Sequence, residues 1–176
     1  TAKDTRGMRP NFFRDFNRSL AQFLKAKLGW SGAVFKKMSP PVVLRSAFAV
    51  ADKIGYTLAN PVAAGAGRFP REWPGVISRI EDMGEKTYSR KRPVHYFGKR
   101  KTLPDRSSFR LRMNGWLQDA YESVSAAQAV LSERLEHHLG NARRAVAENG
   151  WKYLGADRVR KLSPYKRAKS YEVFGA

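Results

Sequence analysis

Large apolar side chains recur along this chain at helical spacing in four stretches and thin out between them. In the first, Phe12, Phe13, Phe16, Leu20, Phe23, Leu24 and Leu28 share one stripe at three-to-four spacing, with Pro10 placed for a helix start and Gly29 for a stop. This predicts an amphipathic helix from Asn11 to Leu28. Ser39 followed by Pro40 and Pro41 reads as a cap and first turn, after which Val43, Leu44, Ala47, Phe48, Ala51 and Ile54 repeat helically up to Gly55. Trp73, Val76, Ile77, Ile80 and Met83 predict a third helix of about three turns closed at Gly84. The clearest pattern is the last: Trp116, Leu117, Ala120, Tyr121, Val124, Ala127, Val130, Leu131, Leu135 and Leu139 run without proline, and Gly140 or Gly150 is expected to end that helix.

The intervening stretches lack a period. Asn60 to Pro74 is rich in proline and glycine, including Pro61, Gly65, Gly67 and Pro70, and predicts a loop. Lys86 to Arg112 reads as an irregular connector punctuated by Pro93 and Pro104, with Val94 to Phe97 the one short alternating run. A turn of helix is expected around Asp157 to Leu162. The expected fold class is therefore all-α, with about four helices, long irregular basic connectors and a basic C-terminal tail. The expected organisation is a basic arm over 1–10, a helical body over 11–150 interrupted by the loop 60–74 and the basic connector 86–112, and a docking tail over 151–176.

Composition adds the partner. The 176 residues suffice for one ordinary domain with extensions, and 42% apolar with 12% aromatic residues give it a core to bury. Against 15 Asp and Glu stand 34 Lys and Arg, a formal charge of +19 that far exceeds what solubility needs and points to an anionic partner. Counted by segment, residues 1–27 carry +5, residues 86–112 carry +9 and residues 152–169 carry +6, while the rest of the chain sums to −1. The charge is localised in the arm, the connector and the tail.

Within the connector, Arg90, Lys91 and Arg92 precede His95, Tyr96 and Phe97, and Lys99, Arg100 and Lys101 follow, so rings stand between two triplets of cations. Cations match phosphates, and Tyr96 or Phe97 is placed to stack on a base or to anchor the loop. Arg106, Arg110 and Arg112 continue the tract. The tail repeats the theme with Arg158, Arg160, Lys161, Lys166, Arg167 and Lys169. These are the candidate anion and nucleic-acid contacts. Trp30, Trp73, Trp116 and Trp151, three of them beside a glycine, are the candidate protein-interface anchors.

Catalytic patterns are weak. The absence of cysteine excludes disulfides, thiolate metal sites and cysteine nucleophiles. Adjacent His137 and His138 point about 100° apart on a helix, and Glu133 with His137 at i, i+4 is more simply a solvated pair than a metal site. No phosphate loop, dinucleotide pattern or nucleophile elbow is present in the sequence, so no catalytic, cofactor-binding or metal site and no cofactor is expected. The longest apolar stretch, Val42 to Gly67, is broken by Arg45, Asp52, Lys53, Asn60 and Pro61, so no transmembrane span is expected. Thr1 at the start and the lack of a secretory region fit a processed chain.

The expectation is a non-catalytic structural subunit of a large mitochondrial assembly, foremost an rRNA-contacting ribosomal protein packed among other subunits. The alternative is a supernumerary matrix-side subunit of a mitochondrial ATP synthase or respiratory complex, in which acidic subunits and anionic lipid headgroups meet the cations. The first helix suits a membrane-surface or subunit-docking role. The expected location is the mitochondrial matrix or its peripheral membrane side.

Overall fold

The computed structural model describes residues 7–35, 42–94 and 102–163. Among these the chain is mostly helical, with five α-helices and one two-stranded antiparallel sheet. The expected all-α class is thus corrected to a helical chain carrying a β-hairpin. The chain divides into two compact units, residues 1–50 with 81–127 and residues 51–80 with 128–176.

In the first unit, α1 (Arg9–Leu28) forms where its apolar stripe predicted, with Pro10 in the first turn and Gly29 closing it at a φ of 63°. Lys25 and Lys27 occupy its last turn, where they favour the negative end of the helix dipole. Met83, Met113, Leu117 and Ala127 are buried in this unit. The expected continuous helix from Trp116 to Leu139 is broken, because two caps compete with it. Asn114 Oδ1 accepts from the Trp116 N–H at 3.0 Å and starts α3 (Gly115–Ala120), which ends at extended Tyr121. Ser123 Oγ then accepts from the Ala126 N–H at 3.1 Å and starts α4 (Val124–Glu148). Such side chains offer the backbone a local alternative to the helix ladder.

Helix α2 (Ala47–Ala63) begins where Ser46 Oγ accepts from the Ala49 N–H at 3.1 Å. The expected cap at Ser39 to Pro41 lies outside the described residues, and residues 42–45 are not helical. Nor does Gly55 end α2, as the sequence suggested. A Cβ there would stand 2.9 Å from the main-chain carbon of Arg134 and the amide nitrogen of Leu135, so the glycine allows α2 and α4 to approach closely. The helix then runs through Pro61, which has no N–H to give to the carbonyl of Thr57 one turn earlier, and takes the first residues of the expected loop 60–74 with it.

The second unit is organised by that crossing. Ala51, Leu58, Ala59 and Val62 of α2 and Leu131, Leu139, Ala142 and Val146 of α4 are buried, with Leu135 and Tyr153 packed against the cluster. Both helices end in the same way. Gly65 at φ 66° lets its N–H donate to Val62 and the Ala66 N–H to Pro61; Gly150 at φ 63° does the same with Ala147 and, through Trp151, Val146. Helix α4 passes straight through Gly140, because Leu139 and Ala142 on either side of it are held in the core. The Leu154 and Gly155 amides then donate to Gly65 and Ala66, tying the tail to the end of α2 before the short α5 (Ala156–Arg160).

The third expected helix does not form. Between a single turn at Pro70–Glu72 and another at Ile80–Asp82 the chain is irregular. Pro74 and Gly75 head that segment, the Trp73 indole lies over Gly75 where a Cβ would meet its Nε1 at 2.4 Å, and Val76 is fully exposed.

Candidate nucleic-acid interface

The connector from Lys86 to Arg112 is a hairpin rather than irregular chain. Strand β1 (Thr87–Lys91) pairs antiparallel with β2 (Arg106–Arg110), in the register Tyr88 opposite Phe109 and Lys91 opposite Arg106. Val94 lies in a bend, and the rest of the expected strand at Val94 to Phe97 lies outside the described residues. At the base of the hairpin Leu111 donates to the Lys86 carbonyl at 2.9 Å and Gly84 to the Leu111 carbonyl at 2.7 Å.

Because side chains alternate across a strand, this register sorts the hairpin into two faces. On one face Thr87, Ser89 and Lys91 stand opposite Arg110, Ser108 and Arg106, so three cations surround small hydroxyls. The Arg106 guanidinium donates to Ser89 Oγ at 3.3 Å, and Arg110 Nε donates to the Gly84 carbonyl at 3.2 Å. Those bonds hold two planar forks in position while leaving the residues exposed. A row of orientable hydroxyls and cations with few acids is a surface suited to phosphate oxygens.

The other face carries rings. Tyr88 and Phe109 stack with centroids 5.3 Å apart and planes 18° from parallel, and the Arg90 guanidinium stands 5.9 Å from the Tyr88 ring centre. Tyr88 is half-buried, and its hydroxyl donates to Asp82 Oδ2 at 2.7 Å, while Phe109 is 57% exposed. Tyr88 is therefore the anchored ring and Phe109 the presented one.

The structure distributes the expected contact residues unevenly. Arg90, Lys91, Arg106 and Arg110 come together on the hairpin, and Arg112 follows it, exposed. Arg92 is turned inward. Its guanidinium donates to the Leu103 carbonyl at 2.6 Å and to Asp105 Oδ1 at 2.8 Å, its side chain is only 17% exposed, and its backbone N–H donates to Asp105. It closes the hairpin. Tyr96, Phe97, Lys99, Arg100 and Lys101 lie outside the described residues, as do Lys166, Arg167 and Lys169.

In the second unit Arg158, Arg160 and Lys161 are exposed at α5, where Arg160 donates to Asp157 at 3.1 Å. Of the expected anchors, Trp116 and Trp151 are exposed while Trp30 and Trp73 are half-buried. Trp73 joins Leu58, Pro61, Ala64, Val76 and Ile77 around an open, largely apolar groove of about 470 Å³. Sequence reasoning missed this groove because it took Trp73 to Met83 for a helix.

The three histidines divide differently. His95 lies outside the described residues. His138 Nε2 is 2.9 Å from Asp52 Oδ1 and meets the Tyr56 ring edge-on, while His137 contacts Asn141 at 3.2 Å. Glu133, the expected partner of His137, pairs with Arg134. Among the described residues no three metal-ligating side chains come together. The Asp52–His138 pair links α2 to α4 across eighty-six positions of sequence and acts as a polar clasp beside the core.

No protein-family model matches the chain, and comparison with curated proteins and with solved structures gives no match. The functional reading therefore rests on the residues themselves.

Proposed function

We propose that this chain is a non-catalytic structural subunit of a large mitochondrial assembly, and that the hairpin lies along the phosphate backbone of rRNA. The observation that supports this most is the sorting of the hairpin. Lys91, Arg106 and Arg110 flank serine hydroxyls on one face, and a presented phenylalanine ring stands on the other. RNA offers both complements, phosphates for the first and unstacked bases for the second. The exposed cations at α5 and the exposed Trp116 and Trp151 fit a chain whose remaining surface is covered by neighbouring subunits.

Crosslinking of the assembled protein to RNA tests the reading. Arg92 belongs to the hairpin's own closure, so the informative variant replaces Arg90, Lys91 and Arg106 by Glu. It is expected to keep its far-ultraviolet spectrum and to lose RNA crosslinking. A variant that folds and crosslinks as before removes the hairpin from the interface.

The exposed phenylalanines of α1 favour a second reading, a supernumerary matrix-side subunit of an ATP synthase or respiratory complex. In that case acidic subunits would occupy the hairpin, and the protein would migrate with a detergent-solubilised membrane complex rather than sediment with rRNA.

A further inference from the structure

We propose that α1 lies flat in the headgroup region of an anionic phospholipid bilayer, with its phenylalanine face down. The inference rests on α1 alone and holds whichever anion the hairpin meets.

No residue of α1 is buried, although its stripe is strongly apolar. Phe12, Phe13 and Phe16 are 61, 40 and 50% exposed, and they pack on one another, Phe12 edge-on to Phe13 at 5.4 Å and stacked on Phe16 at 5.8 Å. At about 100° per residue, Leu20, Phe23 and Leu24 continue the same face but are half-buried, so its presented part is the Phe12 to Phe16 end, while Arg14, Arg18 and Lys25 project from the opposite face. Three clustered rings on a surface helix form the kind of patch that a partner covers.

Charge selects the partner. The helix holds Arg9, Arg14, Arg18, Lys25 and Lys27 against Asp15 alone. A second copy of the helix would bring like charges together, and RNA, which takes up single exposed rings by base stacking, offers no continuous apolar surface to three rings already packed on one another. The two cations at the ends of the stripe argue further. Arg9 and Lys27 are eighteen residues apart, five helical turns, and so sit on the apolar face itself. Lys27 extends over the Phe23 ring at 5.8 Å. In a protein groove both charges would lose water. At a bilayer their aliphatic stems cover apolar surface while the charged ends reach lipid phosphates. The three cations on the far face stay in water yet within roughly a Debye length of the headgroups, because a helix is only about 10 Å wide.

Among the described residues no helix is long and apolar enough to cross a membrane, so the geometry is a helix resting on the surface. At about 1.5 Å per residue the helix is ~30 Å long, and its first two turns carry the three exposed rings that enter the headgroup region.

Flotation of the full chain with vesicles tests this. Binding to vesicles containing cardiolipin should exceed binding to phosphatidylcholine vesicles by at least about tenfold. Replacing Phe12, Phe13 and Phe16 by Ser, which keeps every charge, should remove at least about a tenfold share of that binding, whereas the hairpin variant with Arg90, Lys91 and Arg106 as Glu should retain it. Equal binding by the serine variant, or loss confined to the hairpin variant, would overturn the proposal, since lipid would then be held by cations alone. The chain has no cysteine, so a polarity-sensitive dye can be placed singly. On adding cardiolipin vesicles, dye on Phe16→Cys should shift to the blue and dye on Arg18→Cys should not; equal shifts would refute the orientation.

Discussion

Gly55 and Gly140 make a matched pair in which one substitution is expected to have opposite signs. Both lie within helices, α2 and α4, where alanine is preferred over glycine by about 1 kcal/mol for entropic reasons. At Gly140 an added Cβ meets nothing within 4 Å, so Gly140→Ala should simply gain about 0.5–1 kcal/mol. At Gly55 the Cβ would stand 2.9 Å from two main-chain atoms of α4, the carbon of Arg134 and the nitrogen of Leu135, and 3.0 Å from the Arg134 oxygen. Main chain cannot swing aside as a side-chain tip does. The helices must separate by some tenths of an ångström, which loosens the cluster of Ala59, Val62, Leu139 and Ala142. Overpacking of this kind costs about 1–3 kcal/mol, and it outweighs the propensity gain. Thermal unfolding followed by circular dichroism should place Gly140→Ala above the parent and Gly55→Ala below it, by about 2–4 °C per kcal/mol for a chain of this size. Gly55→Val should fall further. A Gly55→Ala protein that unfolds at or above the parent temperature would refute the close crossing of α2 and α4.

Gly150→Ala forces a residue with a Cβ into the left-handed turn that closes α4 at φ 63° and should lose about 1 kcal/mol, with Gly150→Asn losing less in the same denaturation assay. Ser123→Ala removes the acceptor for the Ala126 N–H and should lower stability by about 1 kcal/mol, read from the urea midpoint at unchanged m-value. Arg92→Ala should speed hydrogen exchange of β1 and β2 amides, whereas Arg106→Ala should leave exchange alone and weaken RNA binding; equal exchange effects would contradict the division of roles between them.

The elements legible in the sequence were those whose apolar positions follow the helical period. Phe12 to Leu28 carries such a stripe without a glycine, and Leu131 to Val146 carries one that continues past Gly140, so α1 and the main run of α4 could be anticipated. What failed were local decisions. Gly55 looks like a helix stop until a second helix is known to lie against it, and Ser123 looks like one polar position in a long helix until its hydroxyl is seen capping. The hairpin had no signal to give. Each strand has one large apolar residue, Tyr88 or Phe109, and β2 is exposed along its whole length, so no alternation could mark either. Pairing is decided by contacts between residues about twenty positions apart, which a window along the chain does not contain.

The candidate site shows the same division in its charge. The sequence locates the excess of cations but treats each as equivalent, whereas folding separates them. Of the seven cations described between Lys86 and Arg112, Arg92 faces Asp105 at 2.8 Å and Lys86 faces Asp82 at 3.8 Å, which leaves five for an outside anion. Each phosphate neutralised contributes about 0.7 to the salt dependence on single-stranded RNA, so these five together contribute about 3.5 to the negative slope of log affinity against log salt. The difference between the parent and the variant with Arg90, Lys91 and Arg106 as Glu measures how the bound phosphates are apportioned. A fall in slope of about 2 is expected, one contact for each cation lost. An unchanged slope would mean that the RNA is held elsewhere on the chain and that the sorting of cations by the hairpin serves another partner.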